Sequence, residues 1–386
     1  MYNKDNKMIY LDNAATTKPK KEVIDAMVPY LTEKWHNPSS LYNPATKIKK
    51  DIEGAREIVS NFIGANSDEI YFCSSGSEAN CWTITGFCHN HNLLNEKPVI
   101  ITSTIEHKSI LECVKNMIAD VYYIDVDEYG FIKTDELAKL LTNRCLWGKS
   151  VLVSIQLANN EIGTIQKIKN ISEMLNQCGG WLHVDAVQAF GRIPIDVNEL
   201  GIDMLSASGH KIGCPKGIGF LYKRNNVNIS PLIYGSQMNG MRGGTENVPY
   251  IIGLAKAVEL CNLSNNEINE MNFKRNYFAG CLGYKFGCKL NGHASQRLPN
   301  NINVTFPQNI NGESLLYMLD ISNIQISTGS ACNSKSVEPS HVLKAIGLTN
   351  EESMRTIRIS ISNETTYEEI DYVINEIDNA IKIIES

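Results

Sequence analysis

The stretch Val151-Leu-Val-Ser-Ile-Gln156 is followed by a helical pattern over Ile168–Cys178 and then by Trp181-Leu-His-Val-Asp185. Two short runs rich in apolar and β-branched residues, separated by a helix, predict a strand–helix–strand crossover, which is the unit that builds parallel sheets. The same alternation continues on both sides of this unit. We therefore predict an α/β fold in which a mainly parallel, seven-stranded sheet lies between helices.

The seven predicted strands are short and end at turn residues. They are Glu69–Cys73, Val99–Thr102, Val121–Ile124, Val151–Gln156, Trp181–Asp185, Met204–Ala207 and Gly219–Tyr222. Helical periodicity between them predicts helices over Ser77–Cys88, His107–Met117, Thr134–Leu141 and Ile168–Cys178. Ligands of such sheets bind beyond the carboxyl ends of the strands, so we expect the functional residues there.

The pattern changes after about residue 246. The later part combines a long helix with a few strands and a last helix, predicted over Asn247–Leu263, Asn301–Phe306, Thr356–Ser360 and Tyr367–Ile384. We predict a large domain over 16–255 and a smaller α+β domain formed by 1–15 and 256–386.

Composition and charge exclude several classes of protein. The chain has 386 residues, 43% of them hydrophobic, and a net charge of −6. No block of Lys and Arg indicates nucleic-acid binding, and no apolar run reaches the roughly 18 residues of a membrane span. The start of the chain, Met1 to Asp12, lacks the apolar core of a signal peptide. We therefore expect a cytoplasmic protein.

The eleven cysteines form no CxxC pair, and their spacing is irregular. This argues against a disulfide framework and against a zinc site, and predicts that most of them are buried and inert. The run Cys88-His89-Asn-His91 is reminiscent of a metal site, but it falls at a predicted helix end without further ligands. We interpret it as a solvated helix terminus and predict no metal site.

Two polar segments follow neighbouring predicted strands. Asp185 ends an apolar strand and is followed by Gln188, and Lys211 comes shortly after the next strand, in Ser208-Gly-His210-Lys211. A buried carboxylate needs a cationic partner, and a desolvated lysine is an amine nucleophile. Taken singly, Asp185 also fits a strand-end cap and Lys211 a solvated lysine. Together they match pyridoxal 5′-phosphate, with the carboxylate on the ring nitrogen and the lysine on the aldehyde carbon.

At this point the chain resembles the cysteine desulfurases, in the class V branch of the fold-type I pyridoxal-phosphate enzymes. The resemblance covers nearly the whole chain in order. Its segments are Tyr10-Leu-Asp-Asn-Ala-Ala-Thr-Thr17, Asn37-Pro-Ser-Ser40, Ile105-Glu-His107-Lys, Asn159-Asn160-Glu-Ile-Gly163, Ser208-Gly-His-Lys211, Arg242-Gly-Gly-Thr245, Thr328-Gly-Ser-Ala-Cys332 and Ile357-Arg358-Ile-Ser.

The turn Cys73-Ser-Ser-Gly76-Ser77 lies between a strand and a helix, where main-chain N–H groups favour an anion. The motif alone fits a helix cap equally well. The resemblance implies that Gly76 and Ser77, with Ser208 and His210, hold the cofactor phosphate. It also implies that Thr245 reaches the phosphate of the neighbouring subunit, so that the active form is a homodimer.

The resemblance assigns four further side chains to the site. His107, which alone would more often be structural, stacks on the cofactor ring and moves protons. Gln188 and Asn160 bond to the ring's phenolic oxygen, and Asn160 also touches the substrate. Arg358 sits on an alternating strand, where its planar fork fits the carboxylate of L-cysteine. The alternatives for Arg358 are an internal salt bridge, or Arg355 in its place.

Cys332 lies among small, polar, turn-forming residues, which are typical of an exposed, mobile loop. Composition alone makes it an incidental cysteine. Its surroundings and Glu338-Pro-Ser-His-Val-Leu343 resemble the long-loop subgroup of the cysteine desulfurases. That resemblance implies that Cys332 receives the sulfur of L-cysteine as a persulfide, releasing alanine. The persulfide then passes to an acceptor protein, which is an iron–sulfur scaffold or a thiolation enzyme.

The chain departs from the family pattern at Ser75, at Tyr42, at Cys214 and in Tyr234–Gly240, and it stops at Ser386 where scaffold-docking members usually continue. None of these changes removes a catalytic group, and we interpret Cys214 as a filler residue. Three alternative functions keep the fold: a class V aminotransferase, a selenocysteine lyase, and a non-catalytic sulfur carrier. A loop thiol favours the desulfurase, since transamination needs none.

Overall fold

The computed structural model describes residues 8–143, 146, 148–307, 310–328 and 339–385. Its helices are α1 (Lys21–Thr32), α2 (Asn43–Phe62), α3 (Gly76–Leu93), α4 (Lys108–Lys115), α5 (Thr134–Leu141), α6 (Ile168–Asn176), α7 (Val248–Glu259), α8 (Asn265–Phe286), α9 (Gly312–Ile321), α10 (His341–Ala345), α11 (Asn350–Met354) and α12 (Tyr367–Glu385). Its strands are β1 (Ile9–Tyr10), β2 (Ile70–Cys73), β3 (Val99–Ser103), β4 (Asp120–Ile124), β5 (Val151–Gln156), β6 (Trp181–Asp185), β7 (Met204–Ser208), β8 (Gly219–Lys223), β9 (Lys289–Leu290), β10 (Asn301–Thr305), β11 (Ile324–Gln325), β12 (Ser327–Thr328) and β13 (Thr356–Ser360). None of the helices within these ranges combines the length and the apolar character needed to cross a lipid bilayer.

The central sheet has the strand order β2-β8-β7-β6-β5-β3-β4 in the described part of the chain. Strand β8 pairs antiparallel with both of its neighbours, and the other pairs are parallel. The prediction of a mainly parallel, seven-stranded sheet is confirmed, and all seven predicted strands are present. The sheet can be predicted because each strand is a short apolar run with a helix or a turn on either side.

Both faces of this sheet are covered, as the sequence predicts. Alternate residues of β2 belong to different apolar clusters: Ile70 and Phe72 to one, Tyr71 and Cys73 to the other. Helices α2 and α7 contribute to the first cluster, and α3 and α4 to the second. The two-residue period of a strand therefore sends its side chains into two separate cores.

A third apolar core is built from the later part of the chain. Strands β12-β13-β10-β9 form an antiparallel sheet, and its cluster includes residues of α8, α9 and α12. The amino-terminal strand β1 pairs in parallel with β11, so the first residues return to this part of the molecule. Helix α7 packs through Val258 in the first core, whereas Met271 of α8 belongs to the third. The division into 16–255 on one side and 1–15 with 256–386 on the other stays a prediction.

The topology sets where the functional residues meet. Strands β2, β3, β5, β6 and β7 all point the same way, because β8 is antiparallel to both β2 and β7. Asp185 is the last residue of β6, and Gly76, His107, Asn160 and Lys211 each follow the carboxyl end of one of the other strands. Parallel strands bring such residues to one edge of the sheet.

Candidate active site

Asp185 ends β6 as a buried carboxylate whose two oxygens both accept hydrogen bonds. Oδ1 accepts from the main-chain N–H of Val187 at 2.9 Å, and Oδ2 accepts from Nδ2 of Asn80 at 2.7 Å. These donors compensate for the burial of a charge. Each carboxylate oxygen has a further lone pair, so Asp185 can accept one more hydrogen bond from a cationic ring N–H.

Lys211 lies in a single helical turn, Gly209–Lys211, directly after β7. Its Nζ donates to the main-chain oxygens of Ala14 at 2.6 Å and Ala15 at 2.7 Å. The Nε2 of Gln188 donates to the same Ala14 oxygen at 3.0 Å. Two of the predicted cofactor ligands therefore converge on one turn of the amino-terminal segment, which brings Lys211 close to the Asp185–Gln188 turn.

His107 precedes the first turn of α4 and caps it, because its Nδ1 accepts from the main-chain N–H of Ser109 at 3.1 Å. His107 is only partly buried. This partial burial is the largest cause of a lowered pKa for His107, and the positive charges of Lys211 and Lys108 lower it further. The negative charge of Asp185 acts in the opposite direction. The imidazole is therefore held neutral, in electrostatic contact with both Asp185 and Lys211.

The first turn of α3 faces the predicted phosphate position. Ser75 accepts from the N–H groups of Glu78 and Ala79, through its side chain and its carbonyl respectively. No described residue accepts from the N–H groups of Gly76 and Ser77, which are left for an outside acceptor. Such a helix start favours an anion, so the prediction of a phosphate-binding turn fits the geometry.

Gly76 allows α3 to begin close to β7 and the Asp185 turn. A Cβ at this position would clash with a methyl group of Val187 and lie 3.5 Å from the Cβ of Ser208. Ser208 is buried at the end of β7. His210 accepts or donates one hydrogen bond at 3.1 Å, between its Nδ1 and Oγ1 of Thr16. Burial lowers the pKa of His210 to about 4, assisted by Lys211, so this imidazole is neutral.

Thr245 lies on an exposed segment that an ion pair ties to the phosphate turn. Nε of Arg242 bonds to Oε1 of Glu78 at 3.0 Å. Burial opposes the charge on Glu78, but the Arg242 guanidinium and donors from Ser74 keep the pKa of Glu78 below its usual value. Thr245 is itself solvent-exposed and is thus available for a contact outside its own chain.

Arg358 joins three parts of the chain at the edge of the site. Its Nη2 forms an ion pair with Oδ1 of Asp12 at 2.8 Å, and its Nη1 donates to the main-chain oxygen of Asn160 at 3.1 Å. The internal salt bridge that the sequence left open is therefore present. Nε of Arg358 is buried without a partner in the described part of the chain, so the guanidinium keeps a donor for a further acceptor. Arg355 instead donates to the carbonyl of Glu351, one helical turn away.

Cys332 lies outside the described residues, but both flanks of its segment abut the site. Before it, β12 pairs with β13 so that Ser327 lies opposite Arg358. After it, Oγ of Ser340 donates to Oε2 of Glu161 at 2.5 Å. Nε2 of His341 lies 3.0 Å from the main-chain oxygen of Glu106.

Asn80, Ser109 and Glu106 lie in the site and were not predicted from the sequence. Asn80 bonds to both Asp185 and Ser109, and Ser109 bonds to His107. Glu106 is fully buried, and burial together with the nearby charge of Asp185 raises its pKa well above the usual value. The spacing of four residues between Gly76 and Asn80 puts both on one face of α3, which is the only signal that the sequence offers for Asn80.

Three of the departures from the family pattern have local explanations. Ser75 has extended backbone geometry and serves as the cap of α3. Cys214 is fully buried in the main core behind Gly209, as expected of a filler. Oε1 of Gln237 accepts from the N–H of Gly244 at 3.0 Å and so supports the segment that carries Thr245.

The Cys88–His91 run has protein partners. His91 bonds to Glu96 at 3.1 Å and His89 to the hydroxyl of Tyr234 at 3.3 Å, while Cys88 is buried. Within the described ranges, no group of three or more His, Cys, Asp or Glu side chains is arranged to hold a metal ion.

The described cysteines differ in acidity. Burial raises the pKa of Cys73, Cys88 and Cys214 to about 12. A hydrogen bond from Cys81, assisted by Thr85, lowers the pKa of Cys113 to about 7 even though burial opposes this. Among these four thiols, Cys113 is therefore the most acidic.

We expect Cys113 to be alkylated by iodoacetamide faster than Cys73, Cys88 or Cys214 in the folded protein. The rate should rise as the pH passes about 7, because the thiolate is the nucleophile. Peptide mass spectrometry after short exposures at several pH values measures this, with Cys113→Ser as the control. Equal labelling of Cys113 and Cys214 under native conditions would contradict the prediction.

A comparison with protein families matches the description "Aminotransferase class-V" over residues 9–373. Among curated relatives, the chain is 43% identical to a protein named cysteine desulfurase IscS from Methanosarcina thermophila, over 98% of this chain and 93% of that protein. It is also 43% identical to a protein of the same name from Dictyoglomus turgidum, over 97% of this chain and 94% of that protein.

Solved structures give the same result for the fold. A protein titled NifS-like superimposes with a TM-score of 0.89 and 34% identity, covering 98% of this chain and all of that one. A structure titled SspA in complex with cysteine superimposes with a TM-score of 0.81 and 36% identity, covering 93% of this chain and all of that one.

Proposed function

The chain belongs to the aminotransferase class V family and is a pyridoxal 5′-phosphate-dependent cysteine desulfurase, and on this basis we propose which of its residues act on L-cysteine. The observation that carries the proposal is the convergence of Asp185, His107 and Lys211 at one edge of the sheet. Hydrogen bonds through Asn80 and Ser109 connect Asp185 to His107, and Lys211 bonds to the same Ala14 carbonyl as Gln188, which supports a common site for one small ligand.

The residues of the site fit the cofactor. Asp185 has acceptor capacity for a ring N–H, the first turn of α3 offers the N–H groups of Gly76 and Ser77, and Lys211 lies at the same edge. In this assignment Lys211 holds the aldehyde carbon. The other cofactor ligands are Ser77, Gly76, Ser208, His210 and Thr245 at the phosphate, with Asp185, Gln188, Asn160 and His107 at the ring. When bound, the cofactor withdraws electrons from the substrate's Cα and so weakens the bonds of that carbon.

Lys211 and His107 act at different atoms of the substrate. Lys211 accepts the proton from Cα of L-cysteine, which requires its amine to be uncharged at that moment. His107 bonds to the substrate's Sγ, and its lowered pKa keeps it neutral at the pH of the cytoplasm.

Arg358 and Asn160 hold the substrate's carboxylate. The unpartnered Nε of Arg358 is buried, and a buried donor without an acceptor is costly, so an anion that accepts from it is stabilised. The ion pair with Asp12 fixes the orientation of the guanidinium. Arg358 thus both closes the edge of the site and orients L-cysteine.

Cys332 is the sulfur acceptor within the chain. Its thiolate attacks Sγ of the substrate, the Sγ–Cβ bond breaks, and the electron pair left on Cβ takes up a proton to give alanine. Support comes from the two flanks of its segment, which abut the site at Ser327 beside Arg358 and at His341 beside Glu106. Intact-mass measurement after addition of L-cysteine tests this step: one added sulfur atom is expected, on the peptide that contains Cys332.

The alternative functions are not favoured by the comparisons. The relatives named above are cysteine desulfurases over nearly the whole length of this chain. Neither a class V aminotransferase, a selenocysteine lyase nor a non-catalytic carrier is supported by an observation at the described site.

The active form is a homodimer. Large apolar side chains are exposed on the segment after α1: Trp35 is 70% exposed, Leu41 98% and Tyr42 52%. Exposed apolar groups clustered on one segment are typical of an association surface. An exposed Thr245 tied to the phosphate turn by the Arg242–Glu78 pair is placed to reach a second copy of the chain.

If Thr245 acts in the partner's site, mixed dimers of Lys211→Ala and Thr245→Ala should regain activity. One of the two sites then combines an intact Lys211 with an intact Thr245 from the other subunit, so about half of the wild-type activity is expected at limiting cofactor. Co-expression with two different tags allows purification of the mixed dimer, and each homodimeric variant is the control. No recovery would show that Thr245 serves its own subunit, or that the dimer does not form.

The persulfide of Cys332 passes to an acceptor protein in the cytoplasm, which is an iron–sulfur scaffold or a thiolation enzyme. The negative net charge and the absence of basic blocks favour a protein acceptor over direct delivery to a nucleic acid.

A further inference from the structure

Four side chains form a continuous line of hydrogen bonds through the site. Nδ2 of Asn80 lies 2.7 Å from Oδ2 of Asp185 and 2.9 Å from Oγ of Ser109. Oγ of Ser109 lies 2.8 Å from Nδ1 of His107. Asn80 is buried, with 1% of its surface exposed, between the start of α3 and α4.

The orientation of the Asn80 amide follows from its partners. Rotating the amide by 180° would place its oxygen next to the carboxylate of Asp185. This arrangement is unfavourable because both groups are hydrogen-bond acceptors. The two hydrogens of Nδ2 therefore point to Asp185 and to Ser109. This orientation leaves Oδ1 of Asn80 buried without a hydrogen-bond partner among the described residues, which is energetically unfavourable.

The protonation of His107 follows next. The main-chain N–H of Ser109 points to Nδ1 of His107 at 3.1 Å, and a main-chain N–H can only donate. Oγ of Ser109 accepts from Asn80 and has its own hydrogen available for Nδ1. Nδ1 thus receives two donors and carries no proton, so the proton of the neutral ring is on Nε2.

We propose that Asn80 and Ser109 are positioning residues that fix His107 as its Nε2–H tautomer and connect it to Asp185, so that His107 acts on the reacting sulfur as a neutral hydrogen-bond donor. The inference rests on the proposed role of His107 at Sγ and specifies it. A base at this position would need a ring nitrogen with an available lone pair. The lone pair of Nδ1 already accepts hydrogen bonds from Ser109, and Nε2 already carries its proton. An N–H donor instead can bond to Sγ and offset the charge of the incoming thiolate, while the electron pair of the breaking Sγ–Cβ bond passes to Cβ.

The surrounding charges agree with a neutral ring. His107 stands at the amino-terminal end of α4, where the helix dipole disfavours an added positive charge. Lys211, after β7, and Lys108, on α4, lower the pKa of His107, and Asp185, at the end of β6, is the opposing charge. Partial burial is the largest contribution and acts in the same direction as the two lysines.

The test measures the ring nitrogens directly. The full-length holoenzyme is labelled with ¹⁵N-histidine, and the signals of His107, one of eight histidines, are assigned by their absence in His107→Gln. At neutral and mildly alkaline pH we expect a protonated Nε2 and an unprotonated Nδ1 in the wild type, because the pKa of His107 is lowered. A proton on Nδ1 in the wild type would overturn the proposal without any variant being needed.

Ser109→Ala removes one donor to Nδ1 and should raise the pKa of His107 by about one unit, the equivalent of one hydrogen bond. Ser109→Thr keeps the hydroxyl and should retain the wild-type signals. Thr85→Ala is the matched control, since Thr85 contacts Cys113 one turn further along the same pair of helices. A shift of equal size in Thr85→Ala, or no shift in Ser109→Ala, would show that the network does not set the state of His107.

The activity of His107→Gln separates this inference from the proposed function. Full sulfide release by that variant would refute a role for His107 in the reaction, whatever its tautomer. Lost activity in His107→Gln together with an Nδ1–H tautomer in the wild type would keep the role but overturn the donor mechanism.

Discussion

Replacing Cys332 with alanine is expected to lower sulfide release from L-cysteine by about 10³-fold or more, while the protein still binds its cofactor. Without this thiolate no group of the chain is assigned to attack Sγ of the substrate. The groups at the cofactor, Asp185, Lys211 and His107, are unchanged, so the visible absorption of the bound cofactor should still respond to L-cysteine. The measurements are initial rates of sulfide and alanine formation and the absorption spectrum.

The assay must limit small thiols, because an added dithiol can attack the substrate's sulfur in place of Cys332. Residual activity of Cys332→Ala that grows with the concentration of dithiothreitol would identify this route. Cys178→Ala is the control, since Cys178 is exposed and lies at the end of α6, outside the site. Full sulfide release by Cys332→Ala at low thiol would contradict the assignment of Cys332, and a similar loss in Cys178→Ala would mean that the effect is not specific.

Cys113 is a second thiol to consider in any sulfur-transfer experiment. Its pKa of about 7 makes it a nucleophile at neutral pH, and it lies on α4, two turns after His107. A persulfide at Cys113 would add the same mass to the intact protein as one at Cys332. Peptide mapping, or the use of Cys113→Ser as the background, therefore decides where the sulfur resides.

The central sheet could be predicted from the sequence because its strands are specified locally. Each is a short apolar run, and burial on both faces leaves no ambiguity about which residues are inside. Helix ends were less predictable. The helix predicted over His107–Met117 begins at Lys108 and ends at Lys115, because the side chain of His107 caps it instead of joining it. A helix cap can depend on a single hydrogen bond, and the pattern of hydrophobic residues does not reveal such a bond.

The residues that we propose for the site belong to sequence motifs, but the contacts between them could not be predicted. Asn80 and Ser109 are near neighbours only because α3 packs on α4, and neither residue type at its position indicates that contact. The raised pKa of Glu106 depends on its complete burial near the charge of Asp185, which again follows from packing. Sequence patterns reveal helices and strands because their residues recur at a fixed spacing. A single contact between two side chains on different elements leaves no such pattern.

Arg358 also makes a contact that the sequence could not predict, in this case with a residue far away in the chain. Its partner Asp12 is 346 residues away in the sequence, and they meet because the residues near both β1 and β13 return to one place. The sequence left open whether Arg358 binds the substrate or an internal acid. The structure contains the internal ion pair and, at the same time, an Nε without a partner in the described ranges. The two interpretations are compatible, since a guanidinium has five N–H donors.

Lys211→Ala is expected to abolish turnover of L-cysteine, by at least about 10³-fold, because one amine serves as both cofactor anchor and base for the Cα proton. Its Nζ rests on the carbonyls of Ala14 and Ala15, a position that no other described lysine shares, so no neighbouring amine can replace it. Borohydride treatment of the wild type should attach the cofactor permanently to the peptide that contains Lys211, and no such peptide should form in the variant.

The variant Lys211→Arg distinguishes a covalent role of the Lys211 amine from a role of its positive charge. The guanidinium keeps a positive charge near His107 and can bond to the Ala14 carbonyl, but it stays protonated and cannot hold the aldehyde carbon. If the role of Lys211 were electrostatic, Lys211→Arg would retain much of the activity; if it is covalent, Lys211→Arg should be as inactive as Lys211→Ala. Lys216→Ala is the matched control, an exposed lysine five residues further along, and should turn over L-cysteine at the wild-type rate. Activity in Lys211→Arg would therefore overturn the assignment of Lys211 while leaving the fold and the family membership intact.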